Sequence, residues 1–352
     1  ADPHIARKLI EGRVDDIRQC VGANYCVDRV GRGGDMACIQ NVATGREKQI
    51  PQEVPRGPGG KRVVVVGGGP GGLEAGRVAA MRGHRVVLFE KEIRFGGQLN
   101  LAKAVTWREN LSGIVRWLEM QVGKLGVELR PGMPATAEAV LAAQPDIVVI
   151  ATGGRPRRPD FAGAELTLPA WQILSGAAQA GSNVLLYDEI GAAAGAGTAE
   201  FLAARGALVE MATPDRLVGE QIGPTAQVAH LRKLYEGNVV FSPNLRLTGA
   251  YREGNGLVAI LRNEYTDKEE ERSVDQIVCE LGTLPEDELY RALKPHSRNL
   301  GEVDYEALIG GRPQEIATNP AGAFQLFRVG DAIQSRDVHA ALYDSMRLLK
   351  DS

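Results

Sequence analysis

The fold is decided by residues 62–91, RVVVVGGGPGGLEAGRVAAMRGHRVVLFEK. Val63 to Val66 are four consecutive valines and read as a strand buried on both faces. Gly67, Gly69 and Gly72 spell G-x-G-x-x-G, with Pro70 and Gly71 completing the loop. Helical spacing runs from Leu73 to Arg82. Val86 to Phe89 form a second apolar strand ending in Glu90, and Lys91 follows. Strand, glycine loop, helix, strand and acid in this order make a βαβ dinucleotide-binding unit. Gly67 permits the tight turn, Gly69 lets the backbone approach a pyrophosphate, and Gly72 lets the helix pack close to the sheet. The helix N-terminus offers free N–H groups and a positive dipole end to the phosphates. Glu90 is placed to accept hydrogen bonds from an adenosine ribose. The plain alternative is a tight turn with no ligand, weighed against strand, loop, helix, strand and acid all occurring in order.

At 352 residues the chain has room for two domains and a sizeable core. Its 44% apolar and 24% charged residues are ordinary for a soluble protein. A net charge of -3 gives no reason to expect nucleic acid or an anionic membrane as partner. No apolar run is long enough to span a bilayer. The opening ADPHIARKLIEGR has no methionine and no signal-peptide pattern. It reads as the middle of a longer protein, with an N-terminal part missing and a cytoplasmic location expected.

Residues 1–58 are read as a helix over Pro3 to Glu11 with Asp2 as N-cap, a cysteine loop and a linker. Cys20, Cys26 and Cys38 cluster there. In a chain without a secretory signal, such clustering points to metal or iron–sulfur chemistry before disulfides. A C-x-x-C-x-x-C loop would need a cysteine where Ala23 stands. Three readings stay open: an assembled cluster, three thiols left in a former cluster site, and a disulfide.

The order of these features resembles a known family. A helix opening ADPHIARKLIEGRVDDIRQC, a cysteine loop, NVATGRE, VVVVGGGPGGLEA and FGGQLNLA are similar to the C-terminal half of the trimethylamine dehydrogenase and 2,4-dienoyl-CoA reductase group, in the old yellow enzyme class. The resemblance spans essentially the whole chain. Within the group, the ending SRDVHAALYDSMRLLKD is most similar to demethylases of N-methylated amino acids and betaines. The resemblance implies a TIM barrel, absent here, that holds FMN and the substrate. It makes Pro3 to Glu11 the last barrel helix, and it puts Cys20, Ala23, Cys26 and Cys38 at four cluster-ligand positions, one of them without a thiol. It also implies FAD, or ADP alone, in the first nucleotide unit.

Further motifs fit two dinucleotide-binding units. In FGGQL, Gly97 and Gln98 approach the flavin side of the cofactor, as the resemblance implies. Trp107 to Gly123 have helical spacing, and Val127 to Leu129 make a short strand. DIVVIATG is a buried strand whose Ala151, Thr152 and Gly153 pass close to the first nucleotide. In FRVGD, the resemblance puts Gly330 and Asp331 at the ribityl and pyrophosphate region. Asp331 also reads as an N-cap for the helix Val338 to Lys350.

The second unit begins at Asn183, with strand Val184 to Tyr187, helix Thr198 to Arg205 and strand Leu208 to Met211. Between them DEIGAAAGAGTAE breaks the fingerprint. Asp188 takes the first glycine position, Ala192 to Ala194 lengthen the turn, and Glu210 near the strand end remains able to hold a ribose. Cys279 reads as a buried small hydrophobe, His84 as a surface turn residue, and DKEEER at 267–272 as a solvated hairpin tip between strands 257–263 and 273–279. His4, His230, His296 and His339 share no ligand-type spacing.

The expected fold is α/β with two nested Rossmann-like domains. One would span 59–160 and 318–352 and bind FAD or ADP; the other would span 161–317 and carry a degenerate NAD(P) loop. The expected function is the electron-transfer half of a flavin-dependent oxidoreductase acting on an N-methylated amine, amino acid or betaine. An electron-transfer flavoprotein or similar protein is the expected acceptor, and the assembly a homo-oligomer. The alternatives are an NAD(P)H-dependent ene-reductase and a non-catalytic nucleotide-holding docking module. No catalytic residue is assigned to this chain.

Overall fold

The computed structural model describes residues 1–352, apart from the side chains of residues 106 and 107. The chain opens with two short helices, α1 (Ile5–Ile10) and α2 (Tyr25–Gly31). Then come β1 (Arg62–Val66), α3 (Pro70–Met81), β2 (Arg85–Phe89), α4 (Leu99–Ala102), α5 (Ser112–Lys124), β3 (Glu128–Arg130), α6 (Ala137–Ala142) and β4 (Ile147–Ile150). After β5 (Gly154–Pro156) follow β6 (Thr167–Pro169), α7 (Ala170–Ser175), β7 (Asn183–Asp188), α8 (Ala193–Ala203), β8 (Leu208–Thr213), α9 (Pro224–Glu236) and β9 (Val240–Pro243). The chain then runs through β10 (Leu245–Glu253), β11 (Gly256–Asn263), β12 (Glu269–Val274), β13 (Gln276–Glu280) and β14 (Thr283–Pro285). It closes with α10 (Glu288–Leu293), α11 (Tyr305–Ile309), β15 (Gln325–Arg328) and α12 (Val338–Leu349).

Two parallel five-stranded sheets result. The first has the order β15-β4-β1-β2-β3, the second β6-β13-β7-β8-β9. An antiparallel sheet β10-β11-β12 lies beside the second, and β5 pairs with β14 in a two-stranded ribbon. The valine run of β1 is explained by what covers its two faces. Val63 and Val65 pack with Leu73, Val78 and Val122 of α3 and α5, whereas Val64 and Val66 pack with Val140 of α6 and Leu293 of α10. A strand covered on both sides has no polar face and so no alternation. The N-terminal segment lies on the same body: Val21, Val42 and Ile50 enter the first core, and the Arg18 guanidinium sits 3.8 Å over the Trp117 ring.

Several expectations are corrected. The first sheet recovers the chain earlier than residue 318, because Tyr290 and Leu293 of α10 already lie in its core. The first helix starts at Ile5 with His4 at its N-cap; Asp2 instead receives the N–H groups of His4 (3.0 Å) and Arg18 (2.8 Å) and the Lys8 ammonium (2.7 Å). His84 is buried, its Nε2 3.1 Å from the Ser352 hydroxyl. Glu269 to Arg272 are strand rather than tip, and the stretch 273–279 divides at Asp275 between two different sheets.

Candidate functional site

The first crevice forms where β1, β2, β4 and β15 end. Gly67 turns out of β1 at φ +107, and a Cβ there would strike the Ala151 carbonyl. On Gly72 a Cβ would run into the Gly67 carbonyl oxygen. Gly69, by contrast, would point its Cβ at no protein atom within 4 Å, into open space beside the loop. Helix α3 starts at Pro70 with Gly69 as N-cap and no side-chain cap, which leaves its first N–H groups to an anion. Gly71 is buried behind the loop. Gly97 presses its backbone against Gly69, since a Cβ on it would lie 3.3 Å from the Gly69 Cα.

Glu90 is buried and anchored. One carboxylate oxygen accepts from the Gly68 N–H at 2.6 Å and the other from the Glu92 N–H at 2.8 Å. Each oxygen keeps a second lone pair for a ribose hydroxyl. Lys91 is exposed. Gly68 belongs to the site although sequence reading passed over it: a Cβ there would hit the Phe95 ring and crowd the Glu90 carboxylate. Its signal was the uninterrupted run of three glycines.

At the opposite edge, Gly330 has φ +61 and donates its N–H to Asp344 at 3.1 Å. Asp331 accepts from Gln98 Nε2 at 3.0 Å and Thr283 Oγ1 at 3.2 Å on one oxygen, and from the Arg336 N–H at 3.1 Å on the other. A carboxylate has about four acceptor positions, so one remains on Oδ1. Asp331 does not cap α12; Asp337 does, accepting from the Ala340 N–H at 2.7 Å. Gly153 takes φ +75, and the Thr152 hydroxyl is spent on the Glu286 carbonyl. Gly67, Gly69, Gly72, Glu90, Gly97, Gln98, Ala151, Gly153, Gly330 and Asp331 therefore share one crevice at the carboxyl ends of parallel strands, where ligands of such sheets bind.

The second crevice is built differently. Asp188 ends β7, has no exposed surface, and accepts from the Ile190 and Gly191 N–H groups at 3.0 and 3.1 Å on one oxygen. Its Oδ2 has no partner and lies against Gly195, where a Cβ would collide with it. Gly195 is the third residue of α8, the counterpart of Gly72 in α3. The neighbouring strand puts Glu280 beside Asp188. Burial first, and then Glu280 and Asp215, push the Asp188 pKa up to about 7. Ala192 is the N-cap of α8 and Ala193 and Ala194 are already helical, so the extra loop length comes from Glu189 to Gly191. Glu210 lies within β8, not at its end, and is held by Arg272 at 3.0 Å and Ser242 at 2.6 Å. Thr213 occupies the position that Glu90 has in the first sheet, one residue past the partner of the last apolar strand residue. Cys279 is buried, its thiol pushed up to about 12 by desolvation, and inert.

Cys20 is exposed, Cys26 and Cys38 are half-buried, and none is in a disulfide. Ala23 packs on the first core. Among the described residues, no three His, Cys, Asp or Glu side chains stand grouped for a metal ion. The segment is docked at both ends. The His339 ring on α12 lies 2.8 Å from the Cys38 carbonyl through Nδ1 and receives Arg46 on Nε2 at 3.0 Å. The arginine is a donor only, so the proton sits on Nδ1 and the ring is neutral. Burial, the largest influence, also lowers its pKa. Tyr25 stacks on the same ring at 5.0 Å.

Comparison with known proteins bears on the family and the fold. The pyridine nucleotide-disulphide oxidoreductase family matches residues 61–307. A probable N-methylproline demethylase of Rhizobium meliloti (strain 1021) is 47% identical over 351 residues, 99% of this chain and 52% of the relative. An N,N-dimethylglycine/sarcosine dehydrogenase of Chromohalobacter salexigens is 47% identical over 365 residues, 100% of this chain and 53% of the relative. The chain thus spans about half the length of the curated relatives it matches. Among solved structures, histamine dehydrogenase from Rhizobium sp. 4-9 superposes with a TM-score of 0.84 at 25% identity, covering 98% of this chain and 52% of that one. The chain belongs to the pyridine nucleotide-disulphide oxidoreductase family, in the group that takes in trimethylamine dehydrogenase and 2,4-dienoyl-CoA reductase.

Proposed function

We propose that this chain is the electron-transfer half of a flavin-dependent oxidoreductase that oxidises the C–N bond of an N-methylated amino acid or betaine. The observation that carries the direction of electron flow is Asp188. Its buried carboxyl, unpartnered on Oδ2 and set against Gly195 of α8, would stand in the way of a pyrophosphate, and Glu280 is paired with it on the next strand. A site so built suits electrons leaving to a protein acceptor, such as an electron-transfer flavoprotein, and not hydride arriving from NAD(P)H. Kinship with a demethylase and a dehydrogenase of N-methylated substrates supports the substrate class. Substrate and FMN would be held by a barrel outside this chain, in a homo-oligomeric cytoplasmic enzyme. No helix among the described residues is long and apolar enough to cross a membrane.

In the first crevice the reading is FAD. Glu90 and Asp331 follow β2 and β15, which are three strand spacings apart, or ~14 Å. Glu90 would hold the adenosine ribose, with Lys91 beside it at the surface, and Gly67 to Gly72 with Pro70 would hold the pyrophosphate. The remaining lone pair of Asp331 can accept from a cofactor donor. A ribityl hydroxyl is one, whereas the phosphate end of ADP is not and would be repelled. Gln98, Gly97, Thr152, Gly153 and Gly330 would line the flavin side. A flavin there supplies one- and two-electron redox chemistry. An iron–sulfur cluster on Cys20, Cys26 and Cys38, with the Ala23 position unfilled, would need these three thiols brought together, since among the described residues they do not stand grouped for a metal. By this reading the FAD unit spans 59–160 plus the C-terminal return, and the inserted unit begins at 161.

The test is anaerobic mixing of the full-length flavoprotein with candidate reductants. N-methylated amino acids or betaines are expected to bleach the flavin within turnover time and NAD(P)H is not. Rapid bleaching by NADH or NADPH alone would replace this reading with the ene-reductase one.

A further inference from the structure

The second sheet keeps the form of a nucleotide-binding unit, yet buries Asp188 against Gly195 at the start of α8. We propose that it completes the cofactor crevice of the first, and that Thr283 is the positioning residue through which it acts; this rests on the flavin reading above.

Thr283 opens β14, the strand by which the chain leaves the second sheet. β14 runs antiparallel to β5, the strand by which the chain entered, with Thr283 opposite Pro156 and Pro285 opposite Gly154. Only glycine fits at position 154 where the two strands meet. A Cβ on Gly154 would stand 2.8 Å from the Thr283 Cβ and 2.9 Å from the Leu284 carbonyl oxygen. That approach delivers the Thr283 hydroxyl to Asp331 Oδ2 at 3.2 Å, where Gln98 Nε2 also donates at 3.0 Å. These two donors saturate Oδ2, and the Arg336 N–H takes one side of Oδ1. Without Thr283 the carboxylate would be free to turn, and the single acceptor left for a cofactor hydroxyl would lose its direction. Two more bonds cross from the same return: Thr152 Oγ1 to the Glu286 carbonyl at 2.5 Å, and the Glu286 N–H to the Gly153 carbonyl at 3.0 Å.

A second attachment fixes the far side of this sheet. Asp28 on α2 accepts from the N–H and hydroxyl of Thr225 at the start of α9, the former at 3.2 Å. Gly223 leaves the room for it, since a Cβ there would overlap the Asp28 carboxylate. Arg32 donates to the carbonyls of Gln221 and Ile222 at 3.2 and 3.3 Å. The other end of the cysteine segment grips α12 through Cys38, Arg46 and Tyr25 on His339. The second sheet is therefore held both at the ribbon beside Asp331 and by a clip onto the helix that follows Asp331.

The experiment measures FAD affinity of the deflavinated protein by flavin fluorescence, with apoprotein melting followed alongside. Thr283→Val is expected to weaken FAD about tenfold, because Asp331 loses the donor that orients it, beyond the fall in apoprotein melting that loss of an internal hydrogen bond to a charged group brings. Thr283→Ser is expected to restore affinity to within about twofold, because it keeps the donor. Asp28→Ala, which touches no cofactor, is expected to weaken FAD about threefold by loosening the clip. Wild-type affinity in Thr283→Val overturns the proposal while leaving the flavin reading standing. If Thr283→Val does not fold, wild-type affinity in Asp28→Ala overturns it instead. Failure of the wild-type protein to bind any FAD removes the flavin reading, and the proposal with it.

Discussion

Replacing Asp188 by asparagine is a direct probe of the second crevice. Asp188 has no exposed surface, and one of its oxygens has no donor. The groups facing it are the Ile190 and Gly191 N–H groups, Glu280 on β13, Asp215 after β8 and Gly195 of α8. Burial, followed by the two acids, raises its pKa from 3.8 to about 7. A raised folded-state pKa means that the protonated form is the one the fold favours. The contribution is complete below about pH 4 and is lost as pH rises toward about 7. At 1.36 kcal/mol per unit, the shift amounts to about 4 kcal/mol over the whole window and about 3 kcal/mol between pH 5 and 8.5. Asparagine keeps the size and the acceptor at Oδ1 but does not ionise. Denaturant unfolding at pH steps from about 5 to 8.5, read at constant m, should show wild type losing stability relative to Asp188→Asn by roughly that amount. Parallel stability curves for the two proteins would refute the burial argument.

Three further outcomes are expected. Gly72→Ala forces a Cβ into the Gly67 carbonyl and should cost about 2–3 kcal/mol and most of the bound flavin, read by thermal melting and flavin content of the purified variant. Calorimetric titration with NADH and NADPH should find binding no tighter than roughly millimolar, because Asp188 lies against Gly195 at the start of α8 with Glu280 on the adjacent strand; micromolar binding would contradict this. A cluster assembled anaerobically on Cys20, Cys26 and Cys38 should be three-iron, or four-iron with a ligand other than cysteine, by iron and sulfide assay and EPR. Four protein thiolates on a stable four-iron cluster would contradict it, since Cys279 is buried within the second sheet.

What the sequence made legible was local. The β1 loop, its helix and Glu90 lie within thirty residues, and Gly72 answers to Gly67 inside the same motif. Asp188 was legible for the same reason, as a wrong residue at a fixed place in a fixed pattern. Errors came where strand length decided the outcome. β8 runs two residues beyond its apolar stretch, which moves Glu210 from the strand end to the interior and gives it to Arg272 and Ser242. The cap of α12 was assigned to Asp331 because Asp337 lies nearer the helix but carries no motif. Contacts distant in sequence left no trace at all. Thr283 meets Asp331 across 48 positions, His84 is buried by Ser352 across 268, and Cys38 is held by His339 across 301. None of these pairs has a spacing that a motif could record.

The central claim, that residues 62–91 with Gly97, Gln98, Gly330 and Asp331 hold FAD, has one decisive measurement. The protein is purified without added nucleotide and denatured, and the released small molecules are separated by HPLC and identified by absorbance and mass. The account predicts FAD at close to one equivalent per chain, with no free ADP in comparable amount, because the open acceptor on Asp331 is matched by a ribityl hydroxyl. ADP alone would contradict that assignment, and recovery of neither FAD nor any adenine nucleotide would contradict the site itself.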